Sequence, residues 1–239
     1  MAALAGPACL GGHRPIARRP GHGSRAFTLA FVLAGQGCVP KWGGNRPLRG
    51  EIDVTCIAAI RVAGSDVSVS FGGWSSRKLG TRCKMATALV SAHRQVIHAY
   101  GLHAIDVDIE HTEFTNATTQ WRVTTALLPV RLAHPAVQVS LTFGTAPSGP
   151  DAPSVEFVPY AWAIMPFDFG IPEATMGAAS VTAAEGLHAD LMASSGRDLQ
   201  DVSAGRFTRP SPCRRKARHP STTPHRAALL RALVTTGGP

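Results

Sequence analysis

Seven residues, Ala104-Ile105-Asp106-Val107-Asp108-Ile109-Glu110, restrict the fold more than any other part of this chain. Apolar and acidic side chains alternate strictly, so an extended backbone puts Asp106, Asp108 and Glu110 on one face and Ile105, Val107 and Ile109 on the other. Same-face neighbours on a strand stand roughly 6.5 to 7 Å apart. Three carboxylates at that spacing repel one another, and at least one is pushed toward its protonated form. A half-exposed acidic strand would carry that repulsion in water, but the Ile-Val-Ile face asks for a hydrophobic layer. A parallel barrel strand meets both demands, apolar outward against helices and acidic inward, with Glu110 at the carboxyl end where barrel active sites lie.

The triple Asp106-x-Asp108-x-Glu110 resembles the catalytic strand of glycoside hydrolase family 18, the chitinase family, whose fuller pattern is D-G-x-D-x-D-x-E. His103 and Ala104 stand where that pattern has Asp and Gly. A second segment, Asp66-Val-Ser-Val-Ser-Phe-Gly-Gly73, reads as a strand ending in paired glycines, which let backbone approach a neighbouring strand or ligand. It is similar to the family's S-x-G-G motif, with Ser70, Gly72 and Gly73 matching. A third, around Met165-Pro-Phe-Asp168, resembles the family's M-x-Y-D motif with Phe167 in place of Tyr. From the residues alone, Trp162 and Met165 read equally well as core.

Composition fits a globular protein, with 44% hydrophobic residues. The formal net charge of +9 raises nucleic acid as a partner, but its distribution argues against one. Twelve of the 24 Lys and Arg fall in residues 1–25 and 202–239, which contain no acid, leaving the segment between them at a net −3. Both tails read as disordered, apart from a short helix over 227–234. No run of about 18 apolar residues predicts a membrane span. The N-terminus lacks the order of residues expected of a signal peptide. Among Cys9, Cys38, Cys56, Cys83 and Cys213 no spacing suits zinc.

Between the motifs, periodicity predicts alternating strands and helices, hence parallel strands with right-handed crossovers. Phe27–Leu33 reads as a buried first strand, 51–66 is ambiguous with a helical stripe, and Met85 to Tyr100 reads as a helix closed by Gly101. A helix near Thr118–Leu128 is expected to be interrupted by Pro129. Val137–Phe143 is the next strand, a further strand lies within 160–170, and a last helix spans about Ala174 to Met192. His93, His98 and His103 read as surface or loop residues. Trp42, in Gly-Cys-Val-Pro-Lys-Trp-Gly-Gly, is either a sugar-stacking platform or loop packing.

Taken together, the fold expected is α/β, an incomplete (β/α)8 TIM barrel of about strands 1 to 6 over residues 26–200, between an N-terminal extension at 1–25 and a basic low-complexity tail at 201–239. The resemblance implies hydrolysis of β-1,4-linked N-acetylglucosamine polymers, chitin or chito-oligosaccharides, by a substrate-assisted retaining mechanism without metal or organic cofactor. Glu110 would be the general acid and base, Asp108 would orient the substrate's acetamido group, and Asp106 would tune Asp108. Ser70, Gly73, Met165, Asp168 and Trp42 would line the substrate. Cys38 and Cys83 would form a disulfide, implying maturation outside the cytoplasm. The alternative is a catalytically inactive truncated chitinase-like or chitin-binding protein.

Overall fold

The structure is a computed structural model that describes residues 2–5, 26–74, 77–150, 161–167, 169–170, 173–195, 202–204 and 231–234. In chain order its elements are β1 (Ala2–Ala5), β2 (Ala26–Ala34), β3 (Pro40–Trp42), α1 (Glu51–Val62), β4 (Asp66–Gly72), α2 (Leu79–Arg82), α3 (Ala86–Tyr100), β5 (Ala104–Ile109) and α4 (Thr112–Thr115). There follow α5 (Ala117–Ala133), β6 (Gln138–Phe143), β7 (Thr145–Ala146), β8 (Gly149–Pro150), β9 (Ala161–Ile164), α6 (Glu173–Ser195), β10 (Val202–Ala204) and β11 (Arg231–Val234).

Strands β1, β2, β4, β5, β6 and β9 are successive parallel neighbours in one sheet. Beyond β9 the direction reverses, with β11 and then β10 added antiparallel. Among the described residues the ladder ends at β1 on one side and β10 on the other, so the sheet is not closed. This is the incomplete barrel expected from the alternation of strands and helices.

The acidic strand β5 lies inside the sheet between β4 and β6, buried along its whole length. Val69 and Phe71 of β4, the three β-branched residues of β5, and Val139, Leu141 and Phe143 of β6 form one apolar face. Against it pack Leu89, Ala92, Val96 and Ile97 of α3 and Val123, Ala126, Leu127 and Val130 of α5. Burying aliphatic side chains of this size stabilises by about 1.5–3 kcal/mol each, which fixes the register of the acidic face opposite. Helix α3 ends as expected, with Gly101 left-handed at φ 54° and its amide bonded to the Ile97 carbonyl.

Several expectations need correction. Helix α5 continues through Pro129 to Ala133. Val130, just past the proline, is fully buried, and this packing outweighs one missing backbone hydrogen bond. His93 is 1% exposed and sits edge-on to Phe71, so it belongs to the core, while His98 and His103 are exposed. Trp42 is also core. It is 1% exposed and its indole donates to the Tyr100 hydroxyl at 2.7 Å, which leaves no face for a sugar. In the two tails, Ala2–Ala5, Val202–Ala204 and Arg231–Val234 are strands, the last occupying part of the segment expected to be helical. The remaining tail residues lie outside those described.

Candidate active site

The site is built where β4, β5 and β6 run side by side. Register aligns Ser70 with Asp106 and Asp106 with Ser140, and one step further Gly72 with Asp108 and Asp108 with Thr142. Small and hydroxyl side chains thus flank the acids on both sides. Ser70 Oγ donates to Asp106 Oδ2 at 2.7 Å, while Ser140 Oγ and Thr142 Oγ1 donate to Asp106 Oδ1 at 2.8 and 2.9 Å. Asp106 is thus gripped by hydroxyls from both neighbouring strands, hydrogen bonds of the kind that a carboxylate accepts.

Asp108 has a different environment. Only 4% exposed, it is pushed well above the usual carboxylate range by burial, then by the charges of Glu110 and Asp106 and a hydrogen bond with Glu110, with Lys78 opposing. Its Oδ1 has no protein partner. Burial and like charge thus both favour the protonated form of Asp108, and one of its oxygens is left open. Glu110 follows the last residue of β5 and is half-buried, as the barrel reading requires of a group that meets substrate.

The paired glycines explain how β4 approaches this strand. Gly72 has φ +96°, and a Cβ there would come within 2.2 Å of the Asp108 carbonyl oxygen. The Gly73 amide donates to that same oxygen at 2.9 Å. Gly73 therefore acts through backbone, tying the end of β4 to the peptide of Asp108. Ser70, expected to line the substrate, is bonded to Asp106.

Met165 follows β9, two strands from β5; it is half-buried, and its amide is held by Thr145 Oγ1 at 2.8 Å. Asp168 lies outside the described residues. Cys38 and Cys83 form a disulfide with Cα atoms 4.7 Å apart, joining the segment after β2 to the end of α2.

A residue that sequence reasoning missed stands at the mouth of the site. Trp74, directly after the paired glycines, is 69% exposed, and its ring lies 5.0 Å from that of His111, the neighbour of Glu110. An exposed Trp beside the residue that follows Glu110 offers the aromatic face that was looked for at Trp42. Its signal was present in the sequence, since a Trp immediately after a strand-ending Gly-Gly lies at the carboxyl end of the strand.

Comparisons with known proteins agree with this geometry. No protein-family model matches the chain. It is 33% identical over 93 residues to a probable bifunctional chitinase/lysozyme of Escherichia coli K12, which covers 38% of this chain and 10% of that protein. It is 32% identical over 94 residues to endochitinase 11 of Metarhizium anisopliae, covering 38% of this chain and 17% of that protein. In three dimensions it resembles the catalytic domain of a hyperthermophilic chitinase from Pyrococcus furiosus, with a TM-score of 0.68 at 23% identity, covering 84% of this chain and 68% of that one. The chain shares its fold with a chitinase catalytic domain. The chain spans only a small part of the curated relatives it matches. No described helix is long and apolar enough to cross a membrane.

Proposed function

We propose that the chain hydrolyses β-1,4-linked N-acetylglucosamine polymers, with retention, by using the substrate's acetamido oxygen as nucleophile. The observation that supports this most is the contrast between two neighbouring carboxyls, Asp106 accepting from three hydroxyls and Asp108 buried, pushed upward and left with an open oxygen. Environments that push neighbouring titratable groups apart assign acid and base roles.

In this reading Glu110, at the strand end and in contact with Asp108, protonates the glycosidic oxygen. The leaving sugar departs as the acetamido oxygen attacks the anomeric carbon, giving a cyclic oxazolinium. Asp108 faces that group and orients it by hydrogen bonding through its open oxygen. Glu110, now an anion, takes a proton from the incoming water, which opens the ring and restores the acid. Asp106 keeps Asp108 from ionising alone, through like charge. Trp74 stacks on a sugar ring beside the cleavage point, and Met165 belongs to the far wall. Chitin or chito-oligosaccharide is the substrate, and the Cys38–Cys83 disulfide suits an extracellular setting.

The test is hydrolysis of a chromogenic chito-oligosaccharide by wild type and Glu110→Gln. Loss of about 10²-fold or more in kcat, the scale of a general acid, is expected. Equal rates would remove Glu110 from the mechanism. Binding of chitin by wild type without turnover would select a binding protein instead.

A further inference from the structure

Behind the carboxyl end of β5, on the helix side of the sheet, lies an ionic group that the chemistry above leaves unused. Lys78 has no exposed surface, and its ammonium donates to the main-chain carbonyl of Glu110. Its segment is anchored, since the neighbouring Arg77 carbonyl accepts from the Ala34 amide at 2.7 Å. Glu113, on α4, is 2% exposed and its Oε1 accepts from the Gly80 amide at 2.9 Å. Its other oxygen rests against the end of β4, because a Cβ on Gly72 would stand 3.1 Å from it.

The surroundings of this pair are set by every element that packs on it. Lys78 faces the carboxylates of Glu113, Glu110 and Asp108. From α3, His93 lines the same small cavity as Glu113, together with Phe71, Val107 and Val123, and burial keeps it neutral with a pKa of about 4. From α5, Arg122 donates to the Gly80 carbonyl at 2.8 Å. Burial raises the Glu113 carboxyl to about 7, with Lys78 and the Gly80 amide opposing.

The backbone at the same point supplies a second observation. His111, directly after Glu110, has φ +47° and ψ −115°, a conformation that non-glycine residues adopt only when their surroundings force it. The peptide that Lys78 grips is the one that joins Glu110 to this strained residue. A buried ammonium is costly, and an apolar side chain would fill the space with less penalty. A reason for a cation there is that it fixes the Glu110 peptide and places a positive charge behind the two working carboxyls.

We propose that Lys78 is a positioning residue for the hydrolysis, holding the Glu110 main chain from behind the sheet, and that Glu113 is its buried counter-charge. This rests on the hydrolase reading, but part of it can be read without turnover. Lys78 is shut away from substrate, so its loss acts on kcat and not on KM. Its charge also lowers Asp108, and Glu113 restrains that charge, so removing the two partners moves Asp108 in opposite directions.

The experiment compares wild type, Lys78→Met and Glu113→Gln by kinetics on a soluble chito-oligosaccharide and by ¹³C-carboxyl NMR titration of Asp108. For Lys78→Met, kcat falls by about tenfold to a hundredfold, the scale of a small misplacement of a reacting group, while KM stays within about twofold. Asp108 then titrates still higher than in wild type. In Glu113→Gln the amide still accepts from Gly80, and Asp108 titrates lower. Unchanged kcat in Lys78→Met, or shifts of Asp108 that share one direction or do not occur, overturn the proposal. Should Lys78→Met not fold, the Glu113→Gln shift decides alone, downward in favour and absent against. If wild type cleaves no chito-oligosaccharide, the hydrolase reading fails, and opposite shifts of Asp108 still establish the Lys78–Glu113 couple.

Discussion

Replacing Asp106 by Ala tests the centre of the site, because three hydroxyls from two strands converge on one carboxylate. Each hydrogen bond to a charged acceptor contributes about 1.5–3 kcal/mol. Their sum is an upper limit, since alanine also removes a buried charge and its repulsion of Asp108. A net loss of about 3 kcal/mol follows, which for a domain of this size lowers Tm by about 6–12 °C. Function responds in a separate direction. Like charge from Asp106 helps push Asp108 upward, so without it Asp108 releases its proton at a lower pH. The two effects are separated with Asp106→Asn, which keeps an acceptor for Ser140 and Thr142 but no charge. It should lose about 1 kcal/mol and move Asp108 downward as alanine does. Thermal unfolding of the three proteins and NMR titration of Asp108 give the answer. A Tm within about 2 °C of wild type for Asp106→Ala, or an Asp108 titration that does not move, refutes this account.

Reducing the Cys38–Cys83 bridge, or replacing both residues by Ser, opens a loop of sequence separation 45 and should cost about 4 kcal/mol by chain entropy, read from urea unfolding with and without reductant. Coincident curves would show that the bridge contributes nothing. Burial holds His93 at a pKa of about 4, so the unfolded chain binds more protons between about 6.5 and 4 and stability drops as pH falls through that window. Glu113, raised to about 7, acts with the opposite slope between about 4.5 and 7. The difference between wild type and His93→Leu isolates the histidine, and should change in favour of the variant by about 3 kcal/mol from pH 7 to pH 4. Parallel stability curves would contradict it. Trp74→Ala, at an exposed position, should raise KM about five- to tenfold by loss of a stacking face while leaving Tm unchanged. An unaltered KM would take Trp74 out of the substrate path.

Local pattern was enough to place β5, because strict alternation admits one orientation only: once Ile105, Val107 and Ile109 pack on helices, Asp106 and Asp108 must face the other way. The glycines at 72 and 73 were also readable, since close backbone approach needs them. What escaped the sequence depends on contacts between distant segments. The burial of Trp42 follows from Tyr100, 58 residues away, and that of His93 from Phe71 on another element. Pro129 ends an isolated helix more readily than one whose next turn is anchored in a core by Val130. The grip of Lys78 on Glu110 leaves no periodic trace, because a main-chain acceptor has no sequence identity.

The three hydroxyls around Asp106 carry one further implication. Ser70 comes from β4 and Ser140 and Thr142 from β6, so a single carboxylate stitches three adjacent strands at the level where chemistry is expected. Spacing between Asp106 and Asp108 is thereby set within this trio and the helices on its back. Substitutions in peripheral strands such as β1, β10 and β11 can accumulate without disturbing that spacing, whereas a slip of one residue between β5 and either neighbour would unseat the acids at once.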